Sequence, residues 1–126
     1  MFSGKINYVD YQPQALYFSQ SFIRDLGARP SDLLLVNVAG DSMAPTLQPG
    51  ATIMLDTSAK HAGPGIYVLR IGDQELCKRL EPMPRGKIRV VSDNPSYATY
   101  EIDLATAPEG DFAILGRVVW SATVLR

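Results

Sequence analysis

From residue 33 onward the apolar positions come in short runs. Each run is closed by a turn rich in Gly or Pro, a pattern of strands rather than helices. Residues 33–39 are almost continuously apolar, which suits a buried strand. A second run, 51–56, follows Pro49-Gly50. A third, 66–71, follows a turn at 61–65, and Gly72-Asp73 is placed to make a tight hairpin into a fourth, 75–80. Pro82 to Gly86 breaks the chain. Residues 87–91 then alternate polar and apolar, as a half-exposed strand does. Asp93-Asn94-Pro95-Ser96 reads as a turn, 97–102 as a further strand, and 112–120 as the closing one. The spacing predicts one helix, over residues 19–26. Phe22, Ile23 and Leu26 share a face there, Ser19 or Ser21 is placed to cap the start, and Gly27 to end it. Residues 1–14 show no sustained period and read as an arm or linker remnant ahead of a domain over 15–126. About seven short strands and one short helix predict a mainly β fold, either a sandwich or a partly open barrel.

Composition narrows this only slightly. A chain of 126 residues with 46 % hydrophobic and 20 % charged residues is enough for one domain with one core. Twelve Lys and Arg against thirteen Asp and Glu leave a net charge of −1. No basic stripe is visible, so any reading of DNA is expected from residues outside this sequence. A single cysteine, Cys77, excludes an internal disulfide and a cysteine-based zinc site within the chain, and fits a reducing, cytoplasmic setting. Residues 1–10 hold no long apolar run of the secretory kind, and no window approaches the ~18 apolar residues of a membrane helix. No cofactor is expected.

The candidate chemistry rests on two residues. Ser42 lies in Gly40-Asp41-Ser42-Met43-Ala44-Pro45, a turn leaving an apolar strand; Lys78 lies in Leu76-Cys77-Lys78-Arg79-Leu80. A serine hydroxyl is a poor nucleophile until a base removes its proton. Lysine is such a base only when neutral. Its ordinary pKa of about 10.4 must fall by roughly 2–3 pH units to work near pH 7–8, about 3–4 kcal/mol of disfavoured charge. Strand alternation puts Lys78 on one face with Leu76 and Leu80, where burial can supply that change, and leaves Cys77 and Arg79 on the other. The turn at Ser42 can aim the backbone N–H groups of Asp41 and Ser42 at a developing oxyanion, with Met43 and Leu47 anchoring the loop. Taken singly, a serine here is an ordinary turn residue and a strand lysine an ordinary surface or edge residue.

Together with their flanks, these segments resemble the LexA-like (S24-type) peptidases, which include the C-terminal domains of phage repressors of the lambda type. The run Val38-Ala39-Gly40-Asp41-Ser42-Met43-Ala44-Pro45-Thr46-Leu47-Gln48-Pro49-Gly50 looks like that family's nucleophile segment. Cys77-Lys78-Arg79-Leu80, 36 positions beyond Ser42, looks like its lysine strand. Val90 to Tyr97 and Ile114 to Trp120 resemble the strands that follow. Leu16-Tyr17-Phe18 with Phe22, Leu26-Gly27 and Leu33 looks like the phage-repressor branch. The likeness covers roughly residues 15–121.

The resemblance implies a Ser42 nucleophile, a Lys78 general base and one intramolecular cut in an N-terminal linker, inactivating a repressor. It also implies a homodimer and, as co-activator, a RecA-type filament formed after DNA damage. DNA would be bound by an upstream helix-turn-helix domain that these residues lack. Two departures bear on the reading. Gly50-Ala51 stands where the family usually has Gly-Asp. The upstream candidate for the scissile bond is Ser3-Gly4 where the family cuts Ala-Gly or Cys-Gly; the Ala39-Gly40 pair lies in the nucleophile strand itself. The alternative function is a non-cleaving dimerisation and regulatory domain, with the Arg117 to Trp120 region as the dimer surface.

Other residues carry less. His61, the single histidine, reads as an exposed turn residue rather than part of a Ser-His-Asp triad. Cys77 reads as a small buried hydrophobe. Asp41, Asp56, Asp93, Glu101 and Asp103 lack metal-loop spacing. Gly63-Pro64-Gly65 lacks the Gly-Lys-Ser/Thr of a phosphate loop.

Overall fold

The structure, a computed structural model, describes residues 9–10, 16–107 and 110–125. A two-residue strand β1 (Val9–Asp10) is followed by helix α1 (Gln20–Asp25) and then by seven longer strands: β2 (Leu33–Val38), β3 (Thr52–Asp56), β4 (Gly65–Ile71), β5 (Gln74–Met83), β6 (Lys87–Val91), β7 (Tyr100–Asp103) and β8 (Phe112–Ala122). All pair antiparallel in one sheet of order β1-β2-β3-β8-β4-β5-β6-β7. Of the two architectures expected, a sandwich or a partly open barrel, the strands form one unclosed sheet rather than two packed ones.

The last strand sits in the middle of the sheet and bends it. β8 joins β3 on one side and β4 on the other, and its register slips once against each, between Met54 and Leu55 and between Val68 and Leu69. Each slip is a bulge that raises local twist. Gly116 lies between them with its α-carbon so close to β3 that a Cβ would come 3.0 Å from the Asp56 carbonyl oxygen, a contact that favours glycine here. The sheet curls until β1 comes beside β5.

Curling covers both faces of β5 and splits the core in two. Val36, Val38, Ile53, Leu55, Val68 and Cys77 form one cluster, closed by Met43 and Leu47 of the loop after β2. Tyr67, Leu69, Leu80, Ile88 and Val90 form the other. The alternation expected in 75–80 holds, Cys77 falling in one cluster and Leu80 in the other. On the other face Cys77 is buried and Arg79 is ion-paired.

Element ends differ from expectation in instructive ways. β5 runs through Pro82 to Met83, past the expected break. β4 ends its pairing at Gly65↔Leu80, so beyond Leu80 β5 has β6 on one side only. A proline without an N–H is tolerated on such an edge. The Gly72-Asp73 hairpin forms as expected, with Ile71 opposite Gln74 and Gly72 at φ 61°. In α1 the cap is Ser19, whose hydroxyl accepts from the Phe22 amide at 3.1 Å. Phe18 stacks on Phe22, with ring centroids 5.6 Å apart, and meets Trp120 edge-on at 5.1 Å, which docks the helix on β8. Of the N-terminal arm, Val9–Asp10 pairs with Val38 and Asn37, while Ser3 and Gly4 lie outside the described residues. Among the described residues no helix is long and apolar enough to cross a membrane.

Candidate active site

The turn carrying Ser42 is shaped by the end of β2. Of β2, expected as a buried strand, only Val36 and Val38 are buried and Leu34 is exposed; after it Gly40 at φ 80° lets the chain turn in the left-handed region, where a side chain would be strained. Gly50 donates to the Val38 carbonyl at 2.7 Å and Val38 to that of Ala51 at 2.9 Å, which closes the loop at its base. Ala51 is fully buried, so the departure from Gly-Asp fits the core at that point. Met43, also fully buried, and Leu47 pin the loop from inside as expected, and Ser42 is 3 % exposed.

Lys78 enters from β5, opposite Tyr67, with 6 % exposure. A lysine buried to this degree beside apolar neighbours holds its proton less tightly, and burial lowers its pKa from the ordinary value. The neighbouring Cys77 would oppose this only as a thiolate. Burial pushes that thiol up to about 12, so it is neutral over the working range. The Lys78 Nζ donates to Ser92 Oγ at 2.7 Å and lies 5.4 Å from the centre of the Tyr97 ring. Ser92 continues the inward face of Ile88 and Val90 one step past β6, which brings it opposite Lys78.

The turn after β6 is where the two candidates meet. Residue 92 holds Lys78, and residue 94 holds Ser42: the Asn94 amide donates to the Ser42 carbonyl at 3.0 Å, and Asn94 Nδ2 to the Asp41 carbonyl at 3.0 Å. Between them Asp93 takes a two-pronged ion pair from Arg79, both contacts 2.8 Å, and a bond from Thr46 Oγ1 at 2.6 Å. The Arg79 hydrogen bonds, helped by that of Thr46, hold the Asp93 carboxyl below the usual range. Tyr97 donates to Asp41 Oδ1 at 2.6 Å. Lysine strand, nucleophile turn and connecting turn are thus fastened by side chains from all three.

Such an arrangement suits proton abstraction from a hydroxyl: a buried serine and a buried lysine of lowered proton affinity on adjoining elements. His61 is exposed, and among the described residues no group of three His, Cys, Asp or Glu is placed to hold a metal. The sequence reading named Ser42, Lys78 and Asp41 but missed Ser92, Asn94 and Tyr97 as more than turn and strand residues. The signal for Ser92 was the alternation Ile88, Val90, Ser92 carried past the strand's end.

Comparison with known proteins agrees with this geometry. A family model described as Peptidase S24-like matches residues 3–119. The chain is 35 % identical over 120 residues to the Repressor protein CI of Enterobacteria phage phi80, covering 93 % of this chain and 49 % of that protein. It is 32 % identical over 119 residues to the 26 kDa repressor protein of Escherichia phage HK022, covering 94 % and 47 %. It is 29 % identical over 124 residues to the HTH-type transcriptional regulator PrtR of Pseudomonas aeruginosa, covering 97 % and 48 %. The chain spans about half the length of these curated relatives. A match over nearly the whole chain, on a fold that buries the expected serine and lysine against one turn, shows that the chain belongs to the Peptidase S24-like family.

Proposed function

We propose that this chain is the self-cleaving serine peptidase domain of a transcriptional repressor, with Ser42 as nucleophile and Lys78 as general base. The observation that carries the reading is the meeting of the two buried side chains' segments on residues 92–94. Neutral Lys78 takes the Ser42 proton as Oγ attacks the scissile carbonyl carbon. Backbone N–H groups at Asp41 and Ser42 stabilise the oxyanion. The tetrahedral intermediate collapses, Lys78 returns the proton to the leaving amine, and a water deprotonated by Lys78 then hydrolyses the acyl-serine.

The substrate is the chain's own N-terminal arm, residues 1–14, with Ser3-Gly4 as the bond and 15–126 as the peptidase and dimerisation domain. Its support is the antiparallel pairing of Val9 with Val38, which directs the arm from the end of β2 that leads into the Ser42 turn. Cleavage would separate this domain from a DNA-binding part and so inactivate the repressor, with a RecA-type filament as co-activator. The homodimer and the cytoplasmic setting belong to the same proposal.

The test is incubation of the purified chain, with whatever natural sequence precedes it, from pH 7 to 10.5. Cleavage is expected to rise with pH as Lys78 loses its proton, and to be absent in Ser42→Ala and Lys78→Ala, with mass spectrometry locating the cut. Cleavage of Lys78→Ala at the unmodified rate would remove the mechanism. An intact chain at every pH that still dimerises would favour a non-cleaving dimerisation domain.

A further inference from the structure

We infer that Asn94 is a positioning residue that aims the Ser42 amide at the reacting carbonyl; this rests on the peptidase reading above. In a trans peptide the C=O and the following N–H point in opposite directions. The units on both sides of Ser42 are trans. Asn94 Nδ2 holds the Asp41 carbonyl at 3.0 Å, which turns the Ser42 N–H away from Asn94. The Asn94 amide holds the Ser42 carbonyl at 3.0 Å, which fixes the loop on the other side of the nucleophile. The side of the loop facing Asn94 and Tyr97 is taken up by their bonds to Asp41 and Ser42, so a substrate carbonyl must approach from another side, and the grip of Asn94 leaves the Ser42 amide free of the filled one.

A second observation points the same way. Among the described residues the Ser42 amide donates no hydrogen bond, although Ser42 is buried. An amide without a partner among the described residues, beside a nucleophile, suits an incoming oxyanion. The Asp41 carbonyl is also fixed from within the loop by the Ala44 amide at 3.1 Å. Asn94 adds the hold from outside, across more than fifty positions of sequence. Its other side-chain atom, Oδ1, accepts from the Ser96 amide at 3.0 Å and keeps its own turn in shape.

These two roles of one side chain can be separated. Asn94→Asp keeps the Oδ1 acceptor for Ser96 and removes the donor to Asp41. Asn94→Ala removes both. The probe is an alkyl fluorophosphonate: Ser42 Oγ bonds to phosphorus, the P–F bond breaks, fluoride leaves, and the serine proton passes to Lys78. The phosphoryl oxygen then takes the oxyanion's place. Rates are compared on the alkaline plateau, where Lys78 is neutral in every variant, with circular dichroism to check folding. The unmodified chain is expected to be labelled at Ser42 and Ser42→Ala not at all. Both Asn94 variants are expected to label at least about tenfold more slowly, below the ~10²-fold loss of deleting an oxyanion donor outright. The pH midpoint of Asn94→Ala should stay at that of the unmodified chain, whereas mere loosening of the site would let water reach Lys78 and move it. Asn94→Asp labelling at the unmodified rate overturns the inference and leaves the peptidase reading standing. It does so even if Asn94→Ala is slow or unfolded, since the turn and not the donor would then matter. An unmodified chain that never labels at Ser42 overturns both.

Discussion

At the scale of single residues, the informative feature is a charge kept where a charge is unwelcome. Lys78 has Leu76 and Leu80 along its own strand face, Tyr67 opposite, and its ammonium on Ser92. The Ser92 hydroxyl and the Tyr97 ring favour the protonated form, and burial disfavours it; burial prevails, because leaving water costs the ammonium its hydration. In the unfolded chain the pKa returns to about 10.4. Between the two values the unfolded chain binds the proton more tightly than the folded one, so stability rises with pH across that window. Lys78→Met keeps the length and loses the charge. It should raise stability at pH 7 by about 1 kcal/mol, read from the midpoint of urea unfolding. The gain should shrink as pH rises toward 11, above the unfolded value, where Lys78 is largely neutral folded or unfolded. A gain independent of pH would mean that packing and not charge was relieved.

At the scale of elements, the site is a joint between three pieces of chain. Thr46 belongs to the nucleophile loop, Arg79 to β5 and Asp93 to the turn after β6, and the Asp93 carboxylate binds the other two. Its side chain is 12 % exposed against 36 % for Arg79, so the pair is partly shielded from water and salt. Asp93→Ala should destabilise the fold by about 2 kcal/mol near pH 7, since it removes charge-assisted bonds and leaves Arg79 half-buried without its partner. The folded pKa of Asp93 is depressed, so its contribution is present above the unfolded value of about 3.9 and is lost as pH falls through the folded one. Chemical denaturation of both proteins from pH 2 to 7 reads this: the two curves should converge at the acid end. The elements themselves were largely legible in the sequence. Gly72, Gly40, the Ser19 cap and the alternation through 87–91 act within a few residues, so a local pattern reveals them. Ser92 and Asn94 were not legible as site residues. Their roles depend on partners at 78, 41 and 42, and the register between β5 and β6 is set across a 3-10 turn at Pro84–Gly86, whose Arg85 sits at φ 68°. Nothing local in the sequence announces that conformation.

At the scale of the molecule, one sheet brings distant segments together by placing its last strand in the middle. No pattern in residues 112–122 says that they insert between β3 and β4; that follows from which strands have free edges once the hairpins have formed. Insertion curls the sheet, the curl buries both faces of β5, and burial gives Lys78 its unusual proton affinity. At one edge β1 pairs with the last residues of β2, beside the turn that holds Ser42. An arm bound this way is at a high effective concentration for its own site, because a short connection replaces a bimolecular encounter. If the arm is the substrate, cleavage is a property of single chains. The rate constant at pH 10 should then be unchanged over a hundredfold range of protein concentration. An intact Ser42→Ala chain mixed with the active one should be cut far more slowly than the active chain cuts itself. A rate proportional to concentration, or equal cutting of the Ser42→Ala chain, would mean that the arm reaches the site of another molecule. The β1–β2 pairing would then have to open before the reaction.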